Sequence, residues 1–108
     1  MIIAVDFDGT LCDNAWPEIG APKIELIDFL KQRKEQGDKL ILWTMREGRD
    51  LLNALYWCAE RGLTFDAVND NDEDLKKRYN NNPRKVFANW YIDDHNAENF
   101  YAFPKGLY

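Results

Sequence analysis

Ile2-Ile3-Ala4-Val5-Asp6-Phe7-Asp8-Gly9-Thr10 decides how this chain is read. Four apolar residues, several of them β-branched, spell a strand buried on both faces, as strands of a parallel sheet are. Two carboxylates then stand two positions apart, and Gly9 ends the regular structure at once. In an open α/β sheet, ligands bind beyond the carboxyl ends of the strands. Two acids placed there repel each other unless something compensates, and a hard cation is the usual compensation.

A lone Asp after a strand is ordinarily a turn-former or a helix cap. Here the pattern recurs: Trp90-Tyr91-Ile92-Asp93-Asp94 is a second apolar run that finishes in paired acids. If the two strands are neighbours, their four carboxylates share one cation site. A third run, Lys39-Leu40-Ile41-Leu42-Trp43-Thr44, ends in a hydroxyl, which suits a phosphate oxygen.

In order and in type these segments resemble the haloacid dehalogenase (HAD) superfamily of aspartate-nucleophile phosphatases. Asp6 to Thr10 resembles its first motif, Thr44 its second, Lys85 its third and Asp93-Asp94 its fourth, and the likeness runs over nearly the whole chain. The resemblance implies a Rossmann-like three-layer α/β sandwich whose mainly parallel sheet has strand order 4-1-2-3, counting the four core strands.

The residues themselves give the alternation of strands and helices. Lys23 to Gln36 is helix-like, with Ile24, Leu26, Ile27 and Leu30 on one face and Gly37 at the C-terminal cap. About Gly48 to Arg61, Leu51, Leu55, Cys58 and Ala59 recur at helical spacing, and Gly62 ends the helix. Phe65 to Val68 reads as a short strand and Val86 to Ile92 as the last one. Leu11 to Pro22 is expected to be a loop. Asn69 to Pro83 is polar, with room for a short helix stopped by Asn80-Asn81-Asn82-Pro83. The aromatic run Phe100 to Pro104 is expected to pack on the sheet or to meet a partner.

A chain of 108 residues is read as one domain, 1–108, able to bury about 65% of its unfolded surface. Hydrophobic content of 45% supplies the core, and a net charge of -5 argues against a nucleic-acid coat protein, leaving nucleic acid only as a substrate. Cys12 and Cys58 form no CxxC pair and there is one His, so neither a disulfide framework nor a zinc site is expected. The apolar run from Met1 to Val5 is too short for a signal peptide, and no stretch approaches the ~20 apolar residues of a membrane span. A cytoplasmic protein without membrane contact is expected, with a homo-oligomer left open.

The resemblance also implies roles. Asp6 attacks phosphorus to form an aspartyl-phosphate, and Asp8 is general acid and then general base. Asp6 and Asp93 with the Asp8 backbone carbonyl hold Mg²⁺, and Asp94 acts through a water or by orienting a ligand. Thr44, Lys85 and Thr10 are placed on the substrate, Thr10 also supporting a carboxylate from the turn, and Lys77 is the alternative to Lys85. Arg46 contacts the phosphate or is a solvated loop residue, and His95 is read as a surface or capping residue. By resemblance, an Asp at position 8 favours phosphoryl hydrolysis over dehalogenation. The gaps after Thr10 and before Lys85 are too short for a cap domain, so an open site is expected, with Trp16 in the loop flanking it.

Two other readings compete. A divalent-metal nucleic-acid-processing domain would use the same carboxylates, although such folds place their DxD later in the chain. A non-catalytic phospho-acceptor would keep Asp6 but has no need of an acid-base partner at Asp8.

Overall fold

The computed structural model describes residues 1–97. Four strands form a parallel sheet: β1 (Ile2–Val5), β4 (Lys39–Leu42), β5 (Ala67–Val68) and β6 (Trp90–Ile92). They run across the sheet in the order β5-β4-β1-β6. A separate two-stranded sheet is made by β2 (Cys12–Ala15) and β3 (Glu18–Pro22), and the helices are α1 (Ile24–Glu35), α2 (Gly48–Glu60) and α3 (Glu73–Tyr79).

The continuous apolar runs explain the central strands. In β1 and β4 the alternate residues Ile3, Val5, Leu40 and Leu42 face one layer, where Leu26, Ile27 and Leu30 of α1 and Ala54 and Cys58 of α2 cover them. The opposite face carries Ala4 and Ile41, and its cover is Val86 and Ala88 from the segment before β6. α3 contributes no buried residue. The third layer of the expected sandwich is therefore thin on this face, built from irregular chain more than from a packed helix. Small Ala4 lets that chain approach closely.

The stretch Leu11 to Pro22, expected as a loop, is a hairpin. Its strands pair antiparallel, Asn14 with Ile19 and Ala15 with Glu18, about the turn Trp16-Pro17. Three of the four β2 residues are exposed, so no alternation of apolar and polar residues announces a strand. Gly20 makes the pairing feasible, because a Cβ there would run into the Asp13 carbonyl. Lys23 N–H donates to the Leu11 carbonyl at 2.9 Å and closes the hairpin at its base. The fourth expected strand is shorter than Val86 to Ile92, since its first residues serve as the cover just described.

α3 takes up part of the polar segment 69–83. The Asp72 carboxylate caps it by accepting from Asp74 N–H at 3.2 Å, and Asn80 in the left-handed conformation ends it. Lys39 at the start of β4 donates to Asp72 and Asp74, tying the helix to the sheet. Among the described residues no helix is long and apolar enough to cross a membrane. The run Phe100 to Pro104 lies outside the described residues.

Candidate active site

The site forms where β1, β4 and β6 end. β1 pairs with β6 in the register Val5 opposite Ile92, and Asp6 N–H extends the ladder to the Ile92 carbonyl at 2.8 Å. Asp6 and Asp93 are the next residues of two adjacent parallel strands, so they leave the sheet side by side. On the other flank Val5 pairs with Leu42, and Trp43 N–H donates to the Val5 carbonyl at 2.8 Å. That brings Thr44 to the same edge.

Asp6 is half-buried, and burial is the main force that pushes its carboxyl above the usual 3.8. A hydrogen bond with the Phe7 backbone opposes the rise, while the charges of Asp8, Asp94 and Asp93 add to it. Three carboxylates at the ends of two strands thus act on Asp6. Asp93 has one oxygen fixed by His95 N–H at 2.9 Å, and Asn96 Oδ1 accepts its backbone N–H at 2.8 Å. This Asx turn holds the acid in place and leaves its second oxygen to the site. Asp94 is more exposed and lies across from Gly9, whose φ of +80° favours a glycine.

Arg46 is the residue whose setting the sequence did not disclose. Its side chain is 1% exposed, so the solvated-loop reading is overturned. Nε donates to one oxygen of Asp8 at 2.8 Å and Nη2 to the other at 2.7 Å. Nη2 also reaches the Glu18 carbonyl at 3.1 Å and Nη1 the Asp50 carbonyl at 3.4 Å. With most of its five N–H donors engaged inside the protein, Arg46 fixes Asp8, the hairpin and the start of α2 to one another. Four of its N–H donors are thus taken by protein oxygens, two of them those of Asp8, while Arg46 still lines the cleft above Asp6.

Thr44 N–H donates to Asn69 Oδ1 at 2.8 Å, and its Oγ1 accepts from Arg46 N–H at 3.1 Å. The accepted bond leaves the Thr44 O–H to donate elsewhere. Thr10, expected to support a carboxylate, does not do so. It is fully buried, and Oγ1 has no hydrogen-bond partner among the described residues. Thr10 N–H donates to the Phe7 carbonyl at 3.1 Å, and this turn leaves the side chain in the interior. Lys85 is exposed on the segment before β6 and is not among the residues that line the cleft above Asp6. His95 is 89% exposed, with Nε2 3.7 Å from Asp94.

Above these residues lies a cleft of about 520 Å³ lined by Asp6, Asp8, Thr44, Met45 and Arg46, with Asn14 and Trp16 from the hairpin as its far wall. No helical or sheet domain caps it within the described residues. Sequence reasoning missed Asn14 and Met45; the Trp16-Pro17 turn was the available signal for the hairpin wall. A groove of about 430 Å³ elsewhere, lined by Leu75, Tyr79, Pro83 and Phe87 among others, carries no carboxylate.

A solved structure of a conserved protein encoded by a locus of Bacteroides thetaiotaomicron matches this chain with 39% sequence identity and a TM-score of 0.78. The match covers 91% of this chain and 78% of that one. The chain belongs to the same family as that conserved protein. No family model matches it, and no curated protein does so significantly.

Proposed function

We propose that this chain is a capless phosphatase of the HAD type, which hydrolyses a phosphate monoester through an aspartyl-phosphate on Asp6. The observation that carries the reading is the emergence of Asp6 and Asp93 from adjacent parallel strands, with Thr44 at the end of the strand on the other flank.

The donor set suits Mg²⁺. Among the described residues no three His, Cys, Asp or Glu side chains form a ready-made cage. Mg²⁺ asks for less, since it takes one or two carboxylates and keeps several waters. Asp6 and Asp93 would supply one oxygen each and Asp8 its backbone carbonyl, with Asp94 acting through water or orienting a ligand. Burial raises the Asp6 carboxyl first and the three neighbouring acids add to it, and a cation there would offset both the lost hydration and the repulsion. When bound, the ion supplies charge neutralisation at Asp6 and at the phosphate oxygens.

The protein's own groups then account for the chemistry. An Asp6 oxygen bonds to phosphorus as the ester P–O bond breaks, and Asp8 gives its proton to the departing oxygen. Asp8, now ionised, takes a proton from the water that attacks the acyl-phosphate. That step restores Asp6 and releases inorganic phosphate. Arg46 orients Asp8 throughout. For Asp8 to carry a proton, one of its two Arg46 bonds must open. The Thr44 O–H donates to a phosphate oxygen. Lys85 is the cation assigned to the phosphate, with Lys77 as its alternative, and alanine substitutions at the two positions decide between them.

The test is phosphate release from a panel of phosphorylated metabolites and oligonucleotide ends with Mg²⁺ present. Release that is lost in Asp6→Asn supports the reading. Turnover by Asp6→Asn removes it, and a stable acyl-phosphate without turnover assigns the phospho-acceptor role instead.

A further inference from the structure

Trp16 stands at the turn of the hairpin with 56% of its surface exposed, yet one face of its indole is already occupied. The guanidinium carbon of Arg46 lies 4.8 Å from that ring centroid and 5.1 Å from the Phe7 ring centroid. Both distances fall within cation–π range. Phe7 is fully buried, so the stack Phe7–Arg46–Trp16 is rooted in the core at one end and open at the other. Arg46 also holds the Glu18 carbonyl, two residues past Trp16, which fixes the turn on which the indole sits.

A large apolar ring left in water loses the stabilisation that burial would bring. Here a buried cation with three further bonds holds such a ring still at the wall of a cleft whose floor is acidic. Met45, wholly exposed, adds a second apolar and polarisable side chain to the same rim. Neither residue has a part in phosphoryl transfer. Their place fits the other end of the substrate, the leaving group.

We propose that the exposed face of Trp16 is a stacking platform for a planar aromatic ring on the leaving group. The substrate class is then a phosphate monoester bearing such a ring, a nucleotide or an aryl phosphate, and not the ester of a saturated polyol. The proposal rests on the phosphatase reading and names the substrate for the same cleft. Because every nucleobase has a π-face, stacking of this kind discriminates little among bases.

The experiment measures calorimetric binding of adenosine monophosphate, phenyl phosphate and glycerol phosphate to the full chain with Ca²⁺, a hard cation that offsets the acidic floor without the octahedral preference of Mg²⁺, each titration being checked for released phosphate. Wild type should bind both ring-bearing esters about tenfold more tightly than glycerol phosphate, the scale expected of one stacked ring. Trp16→Ala should bring all three to the level of glycerol phosphate, and Trp16→Phe should keep most of the preference. Tighter binding of the nucleotide assigns a base as the ring, and tighter binding of phenyl phosphate assigns a simple aryl group. Equal binding of the three esters by wild type, or equal weakening of all three in Trp16→Ala, overturns the platform. Parallel assays with Mg²⁺ keep the two ideas apart. Ring preference in binding without phosphate release removes the phosphatase reading alone, whereas equal kcat/KM on all three esters removes the platform alone.

Discussion

Both oxygens of Asp8 accept from the guanidinium of Arg46, at 2.8 and 2.7 Å, across 38 positions of sequence. The pair joins the turn after β1 to the loop after β4, and the same guanidinium reaches the hairpin and the start of α2. A planar fork is needed for this, because an ammonium has one point of charge and cannot serve two oxygens and two carbonyls in fixed directions. The group placed as acid and base is thus held by a side chain that itself stays out of the solvent.

Arg46→Ala should lower the unfolding free energy by about 3 kcal/mol, the scale for removing one partner of a buried ion pair. Arg46→Lys should recover only part of it, and should lower kcat more than it raises KM, since Asp8 loses its orientation while the phosphate-facing groups stay. Urea denaturation and steady-state kinetics on the two variants check this. Arg46→Lys with wild-type kcat would show that Asp8 needs no second donor.

The sign of the Asp6 shift gives a second outcome. Burial raises its carboxyl above 3.8, so the folded state prefers the protonated form. The unfolded chain binds fewer protons than the native one between the two values, and stability falls as pH rises through that window. Asp6→Asn removes the charge and should be more stable than wild type at neutral pH, with the gain vanishing as pH drops below 3.8. Thermal melts of both proteins across acid pH measure it. A variant less stable than wild type at neutral pH contradicts the direction of the shift.

What the chain disclosed and what it hid divide along physical lines. Strand β1 and the acids at its end were legible because a continuous β-branched run and an acid pair are local signals. The neighbouring of Asp6 and Asp93 follows once the two strands pair, which the sequence could only state as a condition. Arg46 was illegible because its burial depends on Asp8, Glu18 and Asp50 arriving from three separate segments. Thr10 misled for the opposite reason. The chain turns back on Phe7, whose carbonyl accepts from both Thr10 and Leu11 N–H, and that turn buries both side chains; nearness in sequence to Asp8 said nothing about which way the Thr10 hydroxyl faces.

Mg²⁺ should raise the melting temperature of wild type, because a ligand that binds the native state stabilises it, by about 2.7 kcal/mol at a hundredfold excess over Kd. Asp6→Asn and Asp93→Asn should each lose most of that shift, while Asp94→Asn should lose less if it acts through water. A chelator should abolish phosphate release from wild type. An equal Mg²⁺ shift in wild type and in Asp93→Asn would take Asp93 out of the ligand set.

Burial pushes the Cys58 thiol up to about 12 and raises that of Cys12 as well, and both side chains lie in the core. Neither should react with a thiol reagent in the folded protein at neutral pH, because the thiolate is the reacting form. Labelling should follow the unfolding curve in urea. Rapid labelling of Cys12 in native buffer would instead reveal opening of the hairpin that begins there.

The last outcome separates the two acids of the first strand's turn. Asp6→Asn removes the nucleophile, so no phosphoenzyme should form with any ester. Asp8→Asn keeps the nucleophile and, since position 8 is assigned a ligand role through its backbone carbonyl, keeps the metal set too. It also keeps a partial partner for Arg46, because the amide oxygen still accepts one of the two bonds; the amide nitrogen faces the other donor and weakens that contact. What it loses is the proton donor of the first step and the base of the second, a contribution of about 10²–10⁴ in rate. A nitrophenyl ester needs little protonation of its leaving group, so its first step should survive the substitution better than the hydrolysis that follows. Phosphoenzyme should therefore accumulate in Asp8→Asn, stay below detection in wild type at steady state, and be absent from Asp6→Asn. Acid-quenched mass spectrometry of the three proteins reads this directly and locates the modified residue. Phosphate on any residue other than Asp6, or equal phosphoenzyme levels in wild type and Asp8→Asn, would overturn the division of roles.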